Sequence, residues 1–264
     1  MKFTLITGGS SGIGLQMAHC CAARGENLII VSNQPEALLD AAKSIEAAYS
    51  VCVHTIAADL SATDAATTIY EQTSNIGIVD TLISNAGVLH FGKALNTTDS
   101  YIDFITALHC TTPIKLCRLF AADMVCRGGG KIMIVSSMTA WTPYPTMSLY
   151  GSTKAMLKNF AQSLWYELRD SGVSVTTVFP GAVDTPLYNL SANARRWLRG
   201  LGVMSSPQSV ARKAVKAMHR RCRTVIPGVF TKIAVAACRL LPAVVILPVM
   251  KIPAVYHESG ATIL

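Results

Sequence analysis

The sequence predicts an α/β protein, a doubly wound parallel sheet of about seven strands with helices on both faces. Three observations carry that prediction. Short Val- and Ile-rich runs alternate with amphipathic helical stretches at a spacing of roughly 20 to 30 residues. The runs are almost continuously apolar, as strands covered on both faces must be. A glycine-rich turn follows the first run directly, where a strand passes into a helix.

The expected strands are Phe3–Ile6, Leu28–Ser32, Val51–Ala57, Val79–Ser84, Lys131–Ser136 and Val173–Phe179, with a short seventh near Thr224–Pro227. Helices are expected near 12–24, 35–48, 61–75, 100–127, 149–171 and 207–221. Pro35 suits a first helical turn, and Asp59 and Ser61 are cap-type residues ahead of the third helix. At 264 residues and 28.2 kDa a single domain suffices. Residues 1–100 would form mainly its dinucleotide-binding half and 101–228 its catalytic and substrate half, with 229–264 an apolar basic tail.

Composition excludes several classes. An apolar fraction of 51% with 14% charged residues is too oily for disorder. The eight cysteines form no C-x-x-C pair and no metal-ligand spacing, so they read as small buried residues in a reducing compartment and no metal is expected. Met1-Lys2-Phe3 lead at once into a strand and do not resemble a signal peptide, which predicts a cytoplasmic protein. The net charge of +8 is unevenly placed: Thr185–His257 holds twelve Lys or Arg and no Asp or Glu, and the remainder is net −4. The longest uncharged stretch of the tail, Leu240–Met250, is eleven residues, well short of the roughly 20 that span a bilayer.

The turn reads Thr7-Gly8-Gly9-Ser10-Ser11-Gly12-Ile13-Gly14. A strand, such a turn and a helix in that order aim backbone N–H groups and a helix N-terminus at a pyrophosphate. Gly8 permits the tight turn, Gly12 close approach of phosphate, and Gly14 close packing of helix on strand. Farther on, Tyr150 and Lys154 lie at i and i+4 on one helix face. A nearby ammonium favours a phenolate, so Lys154 would tune Tyr150 toward proton exchange.

The spacing T-G-x-x-x-G-x-G resembles that of the short-chain dehydrogenase/reductase family, and further matches follow in order. Asp59, with Leu60 after it, resembles the family's adenine-contacting acid. Ser84-Asn85-Ala86-Gly87 resembles its N-N-A-G segment, with Ser84 in place of the first Asn. Ser137 precedes Tyr150 by thirteen residues, Tyr150-Gly-Ser-Thr-Lys154 fits Y-x-x-x-K, and Pro180-Gly181-Ala182-Val183-Asp184-Thr185 fits the segment beside the nicotinamide. The resemblance implies a Rossmann-type fold and an oxidoreductase acting on CH–OH or C=O groups. It implies that Ser137 hydrogen-bonds the substrate oxygen, Tyr150 protonates it, and Lys154 holds the nicotinamide ribose; Ser136 is adjacent, but spacing favours Ser137. One departure is plain: His109 falls where the family places a water-holding Asn. Either it is a tolerated substitution or shifted register, or His109 itself relays protons near neutral pH.

The place where an acid would bind the adenosine 2′-hydroxyl is Ser32, followed by Asn33 and Gln34, all neutral. That favours NADP(H) over NAD(H), although no Lys or Arg accompanies it. Loops after the fourth to sixth strands should line the substrate pocket. They carry Val88, Leu89, His90 and Phe91, then Met138, Trp141, Pro143 and Tyr144, then Leu187 and Tyr188. This lining suits a bulky apolar ketone or alcohol, lipid- or steroid-like. The oily basic tail is similar to that of ketosphinganine reductases and hydroxysteroid dehydrogenases. Residues 185–206 would form a substrate lid, and Arg195, Arg196, Trp197 and Arg199 with the tail would dock on an anionic membrane or join a homodimer or homotetramer. No nucleic-acid recognition module is present. The rival readings are an NAD-dependent hydroxysteroid-type dehydrogenase and a non-catalytic dinucleotide-binding regulator.

Overall fold

In the computed structural model the described residues are 1–89, 91–144, 146–185, 196, 199–200 and 202–240. Seven parallel strands are observed: β1 (Lys2–Thr7), β2 (Asn27–Ser32), β3 (Val53–Ala57), β4 (Ile78–Ser84), β5 (Gly130–Val135), β6 (Val173–Val178) and, after two short ones, β9 (Thr224–Val225). Their order in the sheet is β3-β2-β1-β4-β5-β6-β9, so chain direction across the sheet reverses between β1 and β4. The short strands β7 (Ala182–Val183) and β8 (Met204–Ser205) pair with each other apart from the main sheet.

The period-2 geometry of a strand explains the continuous apolar runs. Leu5, Ile29, Val31, Ile132 and Ile134 face one core, where they meet helices α3 (Ala65–Ile76), α5 (Thr112–Cys126) and α6 (Ser148–Glu167) through Ile69, Phe120 and Leu157. Their neighbours Ile6, Leu28, Ile30, Met133 and Val135 face the other core, closed by α1 (Gly12–Ala22), α2 (Pro35–Ala48) and α7 (Pro207–His219) through Met17, Leu38 and Met218. Both faces are covered, as the runs predicted.

Two differences from the expected elements have physical causes. The helix expected from residue 61 begins at Ala65, because Asp59 Oδ1 accepts from both the Ser61 amide (2.9 Å) and its hydroxyl (2.7 Å) and so spends its capping capacity in a local turn. The helix expected over 100–127 is three pieces: α4 (Asp99–Thr106), a π-helical turn over Ala107–Thr111, and α5. The Thr112 amide reaches back to the Ala107 carbonyl, and Pro113 in the first turn of α5 has no N–H to continue an α pattern. The tail is helical over α8 (Val229–Leu240). Residues 186–195, 197, 198, 201 and 241–264, which include Leu187, Tyr188 and most of the expected lid, lie outside the described residues.

Leu82 sits fully buried on β4, beside the strand-order reversal. Leu82→Ala should lower the unfolding free energy by about 2–5 kcal/mol. A urea midpoint unchanged from that of the parent chain would contradict this packing.

Candidate active site

In an open parallel sheet the ligand crevice lies beyond the carboxyl ends of the strands, where strand order reverses. Here β1 ends in the glycine turn and β4 in Ser84-Asn85-Ala86-Gly87. Gly8 (φ 66°) and Gly12 (φ 54°) adopt left-handed conformations that glycine tolerates best. A Cβ on Gly14 would strike the Gly8 carbonyl, so the first turn of α1 can pack on the loop only through glycine. The Gly8 amide donates to Val31 O at 2.7 Å, tying the turn to β2. Asn85 locks it to β4: its Nδ2 donates to Thr7 O (3.1 Å) and Gly8 O (3.3 Å), while the amides of Asn85 and Ala86 donate to Thr7 Oγ1 at 3.0 and 3.1 Å.

The rest of the cradle follows. Ser11 caps α1 in extended conformation without a side-chain bond, leaving the first-turn amides of Gly12, Ile13 and Gly14 aimed outward. The methyl group of buried Thr185 stands 3.4 Å from where a Cβ on Gly12 would be, so the Pro180–Thr185 segment and the turn face each other closely. Val183 is buried on β7, and the Met138 amide donates to Pro180 O at 2.9 Å, joining that segment to the loop after β5. At the end of β2, Ser10 and Ser32 share a buried hydrogen bond of 2.9 Å, and the Gln34 amide donates to Ser32 Oγ at 3.2 Å. Asn33 and Asp59 are exposed beside it and Leu60 is buried. Outward-facing helix amides, glycine in place of any side chain, and hydroxyls at the ribose end fit a nicotinamide dinucleotide.

At the mouth of this cradle stand Ser137, Tyr150 and Lys154. Ser137 Oγ accepts from the Thr139 amide at 3.2 Å, which leaves its proton for the Tyr150 phenol; burial pushes Tyr150 up to about 12 and the Ser137 bond pulls the other way. The hydrogen bond that eases Tyr150 ionisation thus comes from Ser137. Lys154 lies over the Tyr150 ring, Nζ 5.7 Å from the centroid, and donates to Val135 O at 3.3 Å. Buried to 4% exposure, its ammonium is lowered to about 8 by desolvation. Ser136 Oγ instead donates to the Lys154 carbonyl at 2.8 Å, a bond that anchors α6.

His109 is fully buried in the π turn, and its two nitrogens have distinct partners. The Val88 amide donates to Nε2 at 3.0 Å, and Nδ1 lies 3.0 Å from Thr153 Oγ1. Thr153 Oγ1 gives its own proton to the Tyr150 carbonyl (2.8 Å), so Nδ1 is the donor and the ring is neutral. Burial first, then the Lys154 charge, holds its pKa well below 6.5. The ring also meets Tyr150 edge-on at 5.6 Å between centroids. Thr153 and Val88 were not among the residues singled out by motif, although Thr153, three residues after Tyr150, falls inside Y-x-x-x-K.

Of the pocket residues, Met138 and Tyr144 are half-buried in the loop after β5, and Val88, Leu89 and Phe91 after β4. Trp141 lies against the framework: its ring is 5.4 Å from Phe179 and carries Lys158 Nζ 4.1 Å from its centroid, with Lys158 also donating to Ala140 O at 3.3 Å. Leu187, Tyr188 and His90 are outside the described residues.

Residues 2–196 match the short chain dehydrogenase family. The chain is 32% identical over 215 residues to an uncharacterized oxidoreductase of Bacillus subtilis, covering 80% of this chain and 88% of that one. It is 31% identical over 209 residues to a 3-dehydrosphinganine reductase of Arabidopsis thaliana, covering 78% and 62%. A short-chain dehydrogenase from Sphingobium yanoikuyae, solved in complex with NADPH, is similar over 99% of both chains at 25% identity and a TM-score of 0.80.

The shifted groups set a pH profile for the stability of the chain alone. Below pH 6.5 the unfolded chain takes up a proton at His109 that the folded chain refuses, so stability falls with acid. Between about 8 and 10.5 the Lys154 contribution rises with pH because the unfolded chain holds that proton longer; between 10 and about 12 the Tyr150 contribution falls because the unfolded phenol ionises first. His109→Gln should flatten the limb just below pH 6.5 in urea unfolding. An identical slope in both proteins there would contradict a buried neutral His109.

Proposed function

The chain belongs to the short-chain dehydrogenase family and is an NAD(P)-dependent oxidoreductase of CH–OH and C=O groups, and we propose that it uses NADPH to reduce a bulky apolar ketone. The observation carrying this reading is the hydrogen-bonded Ser137–Tyr150 pair beside buried Lys154, at the mouth of the glycine cradle.

The bound dinucleotide supplies the hydride. Tyr150, held protonated by its surroundings at neutral pH, gives its phenolic proton to the substrate oxygen as negative charge develops there. Ser137 Oγ–H, its acceptor side fixed by the Thr139 amide, stabilises the same oxygen. Burial keeps the phenol protonated, and the Ser137 hydrogen bond, which favours the phenolate, eases the loss of that proton. Lys154 loses its charge readily enough to pass a proton on toward Tyr150 and take another from solvent. His109 acts in this reading as a neutral strut between the Val88 loop and the Tyr150 turn of α6, with no part in carrying protons. The half-buried Val88, Leu89, Phe91, Met138 and Tyr144 support an apolar substrate, as does the relative named for a long-chain sphingoid ketone. Exposed Ile102, Met156 and Tyr166 on α4 and α6 support a homodimer or homotetramer.

For the cofactor, Ser32 Oγ accepts from Ser10 Oγ and from the Gln34 backbone amide, which leaves the Ser32 hydroxyl proton for a 2′-phosphate at the end of β2 where an acidic side chain would repel it. Ser32→Asp should therefore reverse the order of the NADPH and NADH dissociation constants. If the parent chain binds NADH more tightly, the NADPH reading is wrong. Tyr150→Phe should cut kcat for ketone reduction by roughly 10²–10⁴-fold with the NADPH dissociation constant unchanged. Full activity in that variant would refute Tyr150 as the acid.

A further inference from the structure

Helix α8 is apolar on the side it shows to solvent. At roughly 100° per residue, Val229, Phe230, Ile233 and Ala236 share one arc, and the first three are 74%, 46% and 63% exposed. The opposite arc, Thr231 and Val235, is buried against the protein. An ordinary surface helix has the reverse arrangement. Beside this face a groove of about 370 Å³ runs between α7 and α8, floored by Ala217, Val225 and Ile226. Its rim carries Lys213, Lys216, Arg220 and Lys232 and no acidic residue.

We propose that the α7–α8 face is a docking surface for an anionic phospholipid bilayer, with lipid phosphates in the basic groove and Phe230 and Ile233 in the headgroup boundary. The combination decides the occupant. A polyanion without an apolar layer would leave Phe230 and Ile233 in water. A second copy meeting the same face about a two-fold axis would set the cationic rims toward each other. Four cations beside an exposed apolar arc complement a negatively charged membrane surface on both counts. No helix among the described residues is long and apolar enough to cross a membrane, so this is contact in the plane of the interface.

The inner side of α8 reaches the cofactor cradle. A Cβ on Gly181 would strike Thr231 Oγ1, so helix and Pro180-Gly181 segment are in direct contact. A bilayer against the outer face of α8 would therefore lie one helix width from the segment that frames the cofactor cradle. The proposal is independent of the catalytic reading, and its failure would leave ketone reduction untouched.

The test is co-sedimentation of the full chain with phosphatidylcholine vesicles, with and without phosphatidylserine. Binding is expected only with phosphatidylserine and should weaken as salt rises. Lys213→Glu with Lys216→Glu, and separately Phe230→Ser with Ile233→Ser, should each reduce it about tenfold or more, about 1.4 kcal/mol. The thermal midpoint of each variant should match the parent chain. The proposal is overturned by equal binding to both vesicles, by no binding to either, or by loss on charge reversal alone, which would mark a general polyanion site. It is also overturned if Phe230→Ser with Ile233→Ser halves the mass in light scattering while vesicle binding persists, which would make the face a subunit contact.

Discussion

A parallel sheet covered on both faces has no free surface except the ends of its strands, and that constraint organises this protein. Most residues on β1, β2, β4 and β5 pack beneath α1, α2 and α7 or α3, α5 and α6, while the strand starts, such as Lys2 and Ile78, are exposed. The Asn85 contacts with Thr7 and Gly8 draw two of the carboxyl ends together at the strand-order reversal. The cradle exists because the sheet leaves it as an opening.

Desolvation then does most of the electrostatic work. The same packing that buries Lys154 brings its ammonium down to about 8, raises the Tyr150 phenol to about 12, and keeps His109 neutral. These shifts move the lysine and the tyrosine in opposite directions because burial works against the charged form of each. Hydrogen bonding refines what burial sets: Ser137 for Tyr150, Val135 O for Lys154, Val88 and Thr153 for His109.

Much of this was legible in the sequence, for a physical reason in each case. Strands buried on both faces are apolar at most positions, so β1, β2, β4, β5 and β6 were visible within a residue or two at their ends. Glycines at positive φ and a Tyr–Lys pair at helical spacing are constraints on single residues, and they survive as motifs. What was not legible depends on which partner a side chain takes, or on elements too short to show a pattern. Asp59 and Ser61 look like caps until they are seen bonded to each other. Thr153 reads as a neutral helix residue until His109, forty-four positions away, is placed against it. Strands β7 and β8 span two residues each, too short for any periodicity. The outward apolar face of α8 has the same 3.6-residue stripe as an inward one, and hydropathy cannot tell which side the protein takes.

The π turn at Ala107–Thr111 is in effect one residue more than an α-helix needs. Leu108, His109 and Cys110 are buried in succession, whereas consecutive residues of a regular helix fan out by about 100° each and could not all turn inward on a narrow front. Shortening the chain by one residue here would restore an unbroken helix, but it would turn α5 by that same angle relative to α4, lifting Leu116, Cys117 and Phe120 off the sheet or withdrawing the imidazole from Thr153. The extra residue works as a phase shifter: it lets one continuous stretch of chain satisfy the core with its second half while presenting a side chain to the active site from its middle.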